Sequence, residues 1–482
     1  MATRSTQLVV IGGGPGGYAA AFLAADLGME VTLVDLAPNP GGVCLYRGCI
    51  PSKALLHVSK LITEARHAEQ WGITFGEPKI DLDQLRGWKD GVVKGLTDGL
   101  GQLSKRRKVT FVQGRASFQD ATTLVVQNSD REEEILQFTY AIVATGSRPA
   151  TLPGMFLDSP RVLNSTTALE LQDIPPRLLV IGGGYIGLEL GSVYAALGSR
   201  VSVVEMTDGL LPGADRDLVR YVAKPLEQQF EAIMLKTKVT ELAEVPDGIQ
   251  VTLEGPEGTA APQVYDKVLV AIGRRPNASG IGLQNTNVVI NERGFIEVND
   301  QLRTAEASIY AIGDVVGEPM LAHKASHEGR CAVEAIAGHR VAFEPQAIPA
   351  VVFTDPEIAW CGLTETQARK EDRKVEIARF PWAASGRATT MGRGDGLTKL
   401  LIDPQTERIL GVGLAGSGAG ELIAEGVLAI EMGAVASDLK LTIHPHPTLS
   451  ETLMEAAEVF FGQSTHVYRP PRQPRTPAGS TA

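Results

Sequence analysis

Two short glycine patterns, each set between an apolar run and a helical one, constrain this chain more than anything else in it. Residues 7–11 are apolar and open into Gly12-Gly13-Gly14-Pro15-Gly16-Gly17; residues 18–27 have helical spacing, and a second apolar run, 31–34, ends at Asp35. The pattern then recurs: apolar 178–181, Gly182-Gly183-Gly184-Tyr185-Ile186-Gly187, helical 188–197, and apolar 201–204 ending at Glu205. Gly12, Gly14 and Gly17, and again Gly182, Gly184 and Gly187, fit G-x-G-x-x-G between strand and helix, with an acid 23 residues past the first glycine. Such a loop lets backbone approach a pyrophosphate closely, faces a helix N-terminus toward its charge, and leaves the acid to accept hydrogen bonds from ribose hydroxyls. Two such patterns imply two bound dinucleotides on two Rossmann-like α/β domains.

Each half closes on a strand and a turn, Tyr140 to Pro149 in the first and Val268 to Pro276 in the second, and the two stretches are near copies. Their turn glycines are Gly146 and Gly273. A third such strand, Ile309-Tyr310-Ala311-Ile312-Gly313-Asp314-Val315, puts Asp314 at a strand's C-terminal end, where ligands gather in open α/β sheets. A cofactor hydroxyl contact is expected there, against the plainer reading of a cap for the next segment. Residues 108–126 alternate as β-hairpin material. The Pro175-Pro176 pair marks a joint between domains. Glu205 is followed by Met206-Thr207-Asp208, without Arg or Lys. A carboxylate accepts a free ribose 2′-OH and repels a 2′-phosphate, so the second nucleotide reads as NAD rather than NADP.

Between the fingerprints lies Gly41-Gly42-Val43-Cys44-Leu45-Tyr46-Arg47-Gly48-Cys49-Ile50-Pro51-Ser52-Lys53. Five extended steps span roughly 17 Å, so the segment must fold back if Cys44 and Cys49 are to bond. Gly48 frees the turn, and Pro51 suits the first turn of the helical run that follows, which places Cys49 at a helix start where a thiolate is favoured. A redox-active pair is the sharp reading. Structural zinc and an inert bridge are the bland ones; Cys331 and Cys361 are isolated singles, and C-x4-C is not the usual C-x2-C half of a zinc site. No metal is expected.

From about residue 348 the glycine patterns stop and strand-like runs (351–353, 397–402, 409–414) alternate with helical ones (364–371, 420–431, 450–460), which reads as an α+β domain. It holds Ile443-His444-Pro445-His446-Pro447-Thr448-Leu449-Ser450-Glu451. Prolines on both sides hold His446 on an exposed loop, and Glu451 at the start of the next helix can fix its tautomer and raise the basicity of the far ring nitrogen. A structural turn is the alternative. The net charge of -11 argues against a nucleic-acid surface. Glycines interrupt the N-terminal apolar run, so it reads as neither signal peptide nor membrane span, and cytoplasmic residence is the expectation.

Taken together, the Cys44–Lys53 stretch, the two fingerprints, Ala-Ile-Gly-Asp-Val and His-Pro-His-Pro-Thr-Leu-Ser-Glu resemble the flavin-dependent pyridine nucleotide-disulfide oxidoreductases over about residues 7–461. The nearest likeness is to the bacterial branch that oxidises dihydrolipoyl dithiols. The resemblance implies FAD on the first fingerprint and NAD on the second. It implies Lys53 beside the flavin and paired with Glu189, Gly114 and the Ala322-His323 stretch against FAD, and Val239 and Gly273 in the NAD site. Cys44 becomes the sulfur that meets substrate, Cys49 the one against the flavin, and His446 a base contributed by the other copy of a homodimer. The division it implies is 1–150 FAD-binding with the redox disulfide, 151–278 NAD-binding, 279–347 completing the FAD domain, 348–468 for dimerisation, and 469–482 a flexible tail.

The partner implied is a lipoyl-bearing protein of a 2-oxo acid dehydrogenase or glycine cleavage complex. Two positions depart from the family's pattern: Asp35 stands where Glu is usual, and Tyr46-Arg47 where Asn-Val is. Rival branches want other residues. Glutathione-type reductases call for basic residues near Glu205, mercuric reductases for a C-terminal cysteine pair beyond Cys361, and peroxidases for a single cysteine. A non-catalytic flavoprotein subunit is the alternative from a different class.

Overall fold

The structure is a computed structural model that describes residues 2–151 and 157–468. The tail at 469–482 lies outside the described residues. Contacts divide the chain into two units, Met1–Val204 with Thr237–Glu344, and Glu205–Lys236 with Pro345–Ala482.

The first unit is built on two parallel sheets. In one, strands run in the order Thr110–Gln113, Val31–Asp35, Ala2–Ile11, Glu133–Val143, and Ile309–Ala311 joins the last three residues of Glu133–Val143. The other half of Glu133–Val143 instead carries the antiparallel hairpin Arg115–Asp120 and Thr123–Gln127. The stretch read as a hairpin over 108–126 is thus split: its first strand, Thr110–Gln113, pairs in parallel with Val31–Asp35. Leu8, Val9 and Val10 are fully buried because both sheet faces are covered, which is why the run is apolar without alternation. Leu8, Val10 and Leu33 pack with the helices Pro15–Asp26 and Ala322–Ile336, whereas Val9, Ile11 and Val34 pack with Phe118, Leu124 and Leu136 on the opposite face. The two helices approach closely, since a Cβ on Gly329 would lie 2.6 Å from the Gly16 carbonyl oxygen.

The second sheet orders Arg200–Val204, Arg177–Ile181, Lys267–Val270 and Val162–Asn164 in parallel. Both fingerprint helices begin three residues before the helical spacing does, at Pro15 and Tyr185. Helix geometry starts as soon as the glycine loop ends, and Pro15, with its fixed φ, suits the first position.

In the second unit five antiparallel strands run in the order Ala350–Val352, Glu357–Gly362, Ile409–Gly416, Leu397–Ile402, Glu376–Pro381. Helices Ala419–Glu431 and Glu451–Phe461 cover a core of Leu400, Val412, Leu414, Ile423, Leu453 and Phe460. Inside this unit the ammonium of Lys399, only 1% exposed, meets Asp215 at 2.6 Å, Asp217 at 2.7 Å and Glu365 at 3.0 Å. Arg379 completes the cluster on Asp217 and Glu365. These three acids come as close together as metal ligands do, and the Lys399 ammonium lies among them.

Burial pushes the carboxyls of Asp215 and Asp217 up, but the hydrogen bond and charge of Lys399 prevail and hold both below the ordinary 3.8. Depressed folded values stabilise the fold above the unfolded pKa, and that contribution is lost as pH falls below about 4. Lys399→Met leaves two buried carboxylates and the half-buried Asp217 without their central cation and should cost about 3–5 kcal/mol, read as a lower thermal midpoint at neutral pH, with the gap to wild type closing on acidification. A variant that melts with the wild type at neutral pH contradicts the account.

Candidate active site

The glycine loop of the first sheet is dictated by close approach. A Cβ on Gly17 would sit 1.8 Å from the Gly12 carbonyl oxygen, and one on Gly42 2.4 Å from the Gly14 Cα, so backbone alone fits at both places. Gly42 also has φ +57, where glycine is favoured. Gly14 faces an open cleft, and the helix Pro15–Asp26 points its N-terminus into it. Asp35 lines the same cleft, yet one carboxylate oxygen accepts the Gly13 amide at 2.5 Å and the other the Ala37 amide at 2.8 Å. The carboxylate therefore also braces its own loop. A dinucleotide suits this cradle: a side-chain-free turn, a helix N-terminus and a fixed carboxylate lie along one cleft.

The redox segment enters that cleft as two helices rather than a loop and one helix. Gly42–Arg47 carries Cys44, Gly48 breaks the chain, and Cys49 is the first residue of Cys49–His67. Both cysteines are thiols within hydrogen-bonding reach of each other, and both line the cleft. The Cys44 hydrogen bond, with the charge of Lys53, pulls the Cys49 thiol down to about 7 against the opposing effect of burial. The same bond, read from its donor, pushes Cys44 far up, and burial adds to it. The pair thus shares one proton, held on Cys44, with the thiolate on Cys49 at the helix N-terminus.

Lys53 stands one turn beyond Cys49. Its ammonium lies 2.8 Å from Glu189 Oε2, on the helix Tyr185–Leu197, and the Glu189 side chain is only 3% exposed. Ser52 donates to the same oxygen at 3.4 Å. Asp314 follows the strand Ile309–Ala311 in a single tight turn and lines the cleft. One of its oxygens accepts from the Ser147 hydroxyl, which in turn accepts from Arg274 Nε at 2.7 Å. Just before Asp314, the Gly313 amide donates at 2.6 Å to buried Glu328, which pairs with Lys324 at 2.7 Å. Gly146 and Ala322 also line the cleft. Gly114 lies off it, its amide donating to the Asp35 carbonyl at 2.8 Å.

At the second loop a Cβ on Gly182 would lie 2.5 Å from the Ala271 carbonyl oxygen and one on Gly187 2.2 Å from that of Gly182, while Gly184 and Gly273 have open space. Val239 is buried in the strand Lys238–Val245. Glu205 is buried and accepts the Thr207 amide at 2.8 Å, as Asp35 accepts the Ala37 amide. Within the second unit, His446 Nδ1 lies 2.9 Å from Glu451 Oε1, and the Thr448 amide donates at 2.7 Å to the other oxygen. Burial acts against it, but these two bonds hold the Glu451 carboxyl below its usual range. Glu451 therefore stays ionised, the ring proton stays on Nδ1, and Nε2 is presented as the basic nitrogen on a side chain that is 73% exposed.

A family model described as pyridine nucleotide-disulphide oxidoreductase matches residues 6–329, and that family's dimerisation domain matches residues 348–457. The chain belongs to the pyridine nucleotide-disulphide oxidoreductase family. It is 51% identical to a dihydrolipoyl dehydrogenase of Haemophilus influenzae over 95% of this chain and 96% of that one, and 50% identical to one of Vibrio parahaemolyticus with the same coverage. Among solved structures, LpdA of Mycobacterium tuberculosis superposes with a TM-score of 0.87 at 27% identity, covering 94% of this chain and 99% of that one. The flavoprotein disulfide reductase RclA of Escherichia coli superposes with a TM-score of 0.84 at 27% identity, covering 95% and 99%.

For a member of this oxidoreductase family the cleft gathers Gly12, Gly14, Gly17, Asp35, Cys44, Cys49, Lys53, Gly146, Glu189, Asp314 and Ala322, drawn from residues far apart in sequence. Sequence reasoning passed over Ser147, Arg274 and Glu328. The first two lie inside the copied turns, Ser147 directly after Gly146 and Arg274 directly after Gly273, and the one difference between Gly-Ser-Arg-Pro and Gly-Arg-Arg-Pro was the available signal. Among the described residues no helix is long and apolar enough to cross a membrane.

In the reduced protein, alkylation by iodoacetamide should follow a thiolate that titrates near pH 7. Cys44→Ala and Lys53→Met should each shift that midpoint upward, since each removes a group that lowers Cys49. A midpoint near the ordinary 8.5 in wild type would contradict the shared-proton arrangement.

Proposed function

We propose that the chain oxidises a protein-bound dihydrolipoyl group to its cyclic disulfide and passes the two electrons to NAD+, giving NADH and a proton. The observation that carries this reading is the Cys44–Cys49 pair at a helix N-terminus, sharing a dinucleotide cleft with Lys53 and Glu189. The dihydrolipoyl dehydrogenases it resembles along nearly its whole length support the substrate.

When bound, FAD on the first loop and NAD+ on the second supply the two-electron chemistry between the cysteines and the nicotinamide. Gly12, Gly14, Gly17, Asp35, Gly146, Asp314 and Ala322 hold the first, with Gly114 alongside. Gly182, Gly184, Gly187, Glu205, Val239 and Gly273 hold the second. Segments 1–150 and 279–347 serve FAD, 151–278 serves NAD, and 348–468 joins two copies.

The chain's own chemistry is thiol–disulfide exchange. In the oxidised form Cys44 and Cys49 are bonded. A substrate thiol loses its proton to His446 Nε2, and the thiolate attacks the Cys44 sulfur. The substrate–Cys44 bond forms as the Cys44–Cys49 bond breaks, and Cys49 departs as a thiolate, which Lys53 stabilises. The second substrate thiol then displaces Cys44, closing the lipoyl disulfide and leaving Cys44 protonated. Glu451 keeps His446 in the competent tautomer. In this reading the base at each site is the partner subunit's His446, so one copy alone lacks a complete site, and the lipoyl group arrives on a separate carrier protein of a 2-oxo acid dehydrogenase or glycine cleavage complex. A cytoplasmic location completes the proposal.

Cys44→Ser and Cys49→Ser should each abolish NAD+ reduction by dihydrolipoamide while flavin stays bound; full turnover in either would refute the assignment. His446→Gln should slow dithiol oxidation by about 10²-fold or more while sparing flavin reduction by NADH, and a loss confined to the NADH half would contradict its role as base. Wild-type protein that prefers glutathione and NADPH would shift the reading to another disulfide reductase of the family.

A further inference from the structure

The turns that close the two glycine loops are joined by hydrogen bonds that run from one to the other. On the first side Gly12 presses on the end of the strand Glu133–Val143, where its Cβ would lie 2.3 Å from the Ala144 carbonyl oxygen and where the Ala144 amide donates to Ile11 at 2.8 Å. On the second side Gly182 meets Ala271 in the same way, and the Ala271 amide donates to Ile181 at 2.8 Å. Past Ala144 and past Ala271 the chain turns, and the two turns pair antiparallel, Ser147 with Pro276, Arg148 with Arg275 and Pro149 with Arg274. The Ala150 amide donates to Gly273 at 3.0 Å and the Asn277 amide to Gly146 at 2.9 Å. Thr145 and Asn277 lock together through two side-chain bonds, at 2.9 and 3.0 Å.

A polar relay crosses this joint. Arg274 donates from Nε to the Ser147 hydroxyl at 2.7 Å and from Nη2 to the Ser147 carbonyl at 2.8 Å. The hydroxyl has one proton, and it goes to Asp314 Oδ2. Ser147 is 3% exposed, so neither bond is readily replaced by water. The guanidinium itself stands 4.0 Å from the Asp314 carboxylate. A cation carried on the turn beside the second glycine loop thereby orients a carboxylate that lines the first cleft.

We propose that Arg274 is a positioning residue through which a nicotinamide nucleotide seated on the Gly182–Gly187 loop fixes Asp314, so that the two cofactors bind with positive coupling. The proposal rests on the dinucleotide reading of both loops given above. A nucleotide that holds the Ala271–Arg274 turn in place also holds the relay, and Asp314 then meets the flavin without a further ordering cost.

The test is the flavin dissociation constant of the holoenzyme, from flavin fluorescence on dilution, with and without saturating NAD+. In wild type NAD+ should lower it by about fivefold or more. In Arg274→Met the constant should rise in the absence of NAD+, and NAD+ should no longer change it. Arg274→Lys, which keeps the charge, should recover part of the effect. Ser147→Ala cuts the relay from the other side and should lose the effect as well, which keeps the idea testable if Arg274→Met fails to fold. A wild-type constant indifferent to NAD+, or an NAD+ effect that survives both cuts, overturns the coupling. If dihydrolipoamide still reduces NAD+ in that case, the proposed function stands and only the coupling falls. Protein that holds no flavin overturns both.

Discussion

A carboxylate that is 3% exposed within the apolar helix Tyr185–Leu197 is costly unless a cation meets it, and Lys53 meets Glu189 at 2.8 Å. That pair governs much of what surrounds it. It pins the helix Cys49–His67 against the helix of the second glycine loop, and so sets where the first residue of the redox helix, Cys49, opens into the cleft. The same ammonium favours the thiolate form of Cys49. One charge therefore satisfies a buried acid and readies a sulfur. Ser52 on the same oxygen leaves the carboxylate little freedom to turn away.

Around that pair the architecture is a near repeat. Each glycine loop is closed by a strand end that a Cβ would strike, and each acid is held by the amide two residues on. Asp35, where the family's pattern has Glu, accepts the Gly13 amide, so its hold on a ribose is shared with the turn it stabilises. Tyr46, the other unusual residue, donates to the Asn39 carbonyl at 3.1 Å and braces the approach to Gly41 and Gly42. Nothing in the structure explains Arg47 beyond its place on the cleft wall.

Much of this could be read in the chain before its fold was seen, because the signals are local. Strand, glycine turn, helix and acid lie within about 30 residues, and Cys44, Gly48, Cys49 and Pro51 within ten, so spacing alone suffices. Pairings across long separations could not be read that way. Lys53 and Glu189 are 136 residues apart, and their partnership followed from family resemblance rather than from spacing. Lys399 and its acids come from three distant stretches, and nothing in the sequence of the strand Leu397–Ile402 announces a buried ammonium. The helix Leu82–Arg106 carries Gly87, Gly91, Gly95 and Gly99, each unfavourable in a helix interior by roughly 1 kcal/mol. It forms regardless, capped by Asp81 and packed through Val93, Thr97, Gly101 and Ser104. Strands Glu357–Gly362 and Glu376–Pro381 escaped notice because proline or glycine bounds them, and only their neighbours in the sheet make them strands.

Everything depends on Cys44 and Cys49 storing and releasing an electron pair between a dithiol and a nicotinamide. The most direct measurement is a count of reactive protein thiols under anaerobic conditions, first after one equivalent of dihydrolipoamide per chain and again after NAD+. Two new thiols that map to Cys44 and Cys49, and vanish as an equal amount of NADH forms, are what the account requires. NADH that forms while those two sulfurs never change state would contradict it.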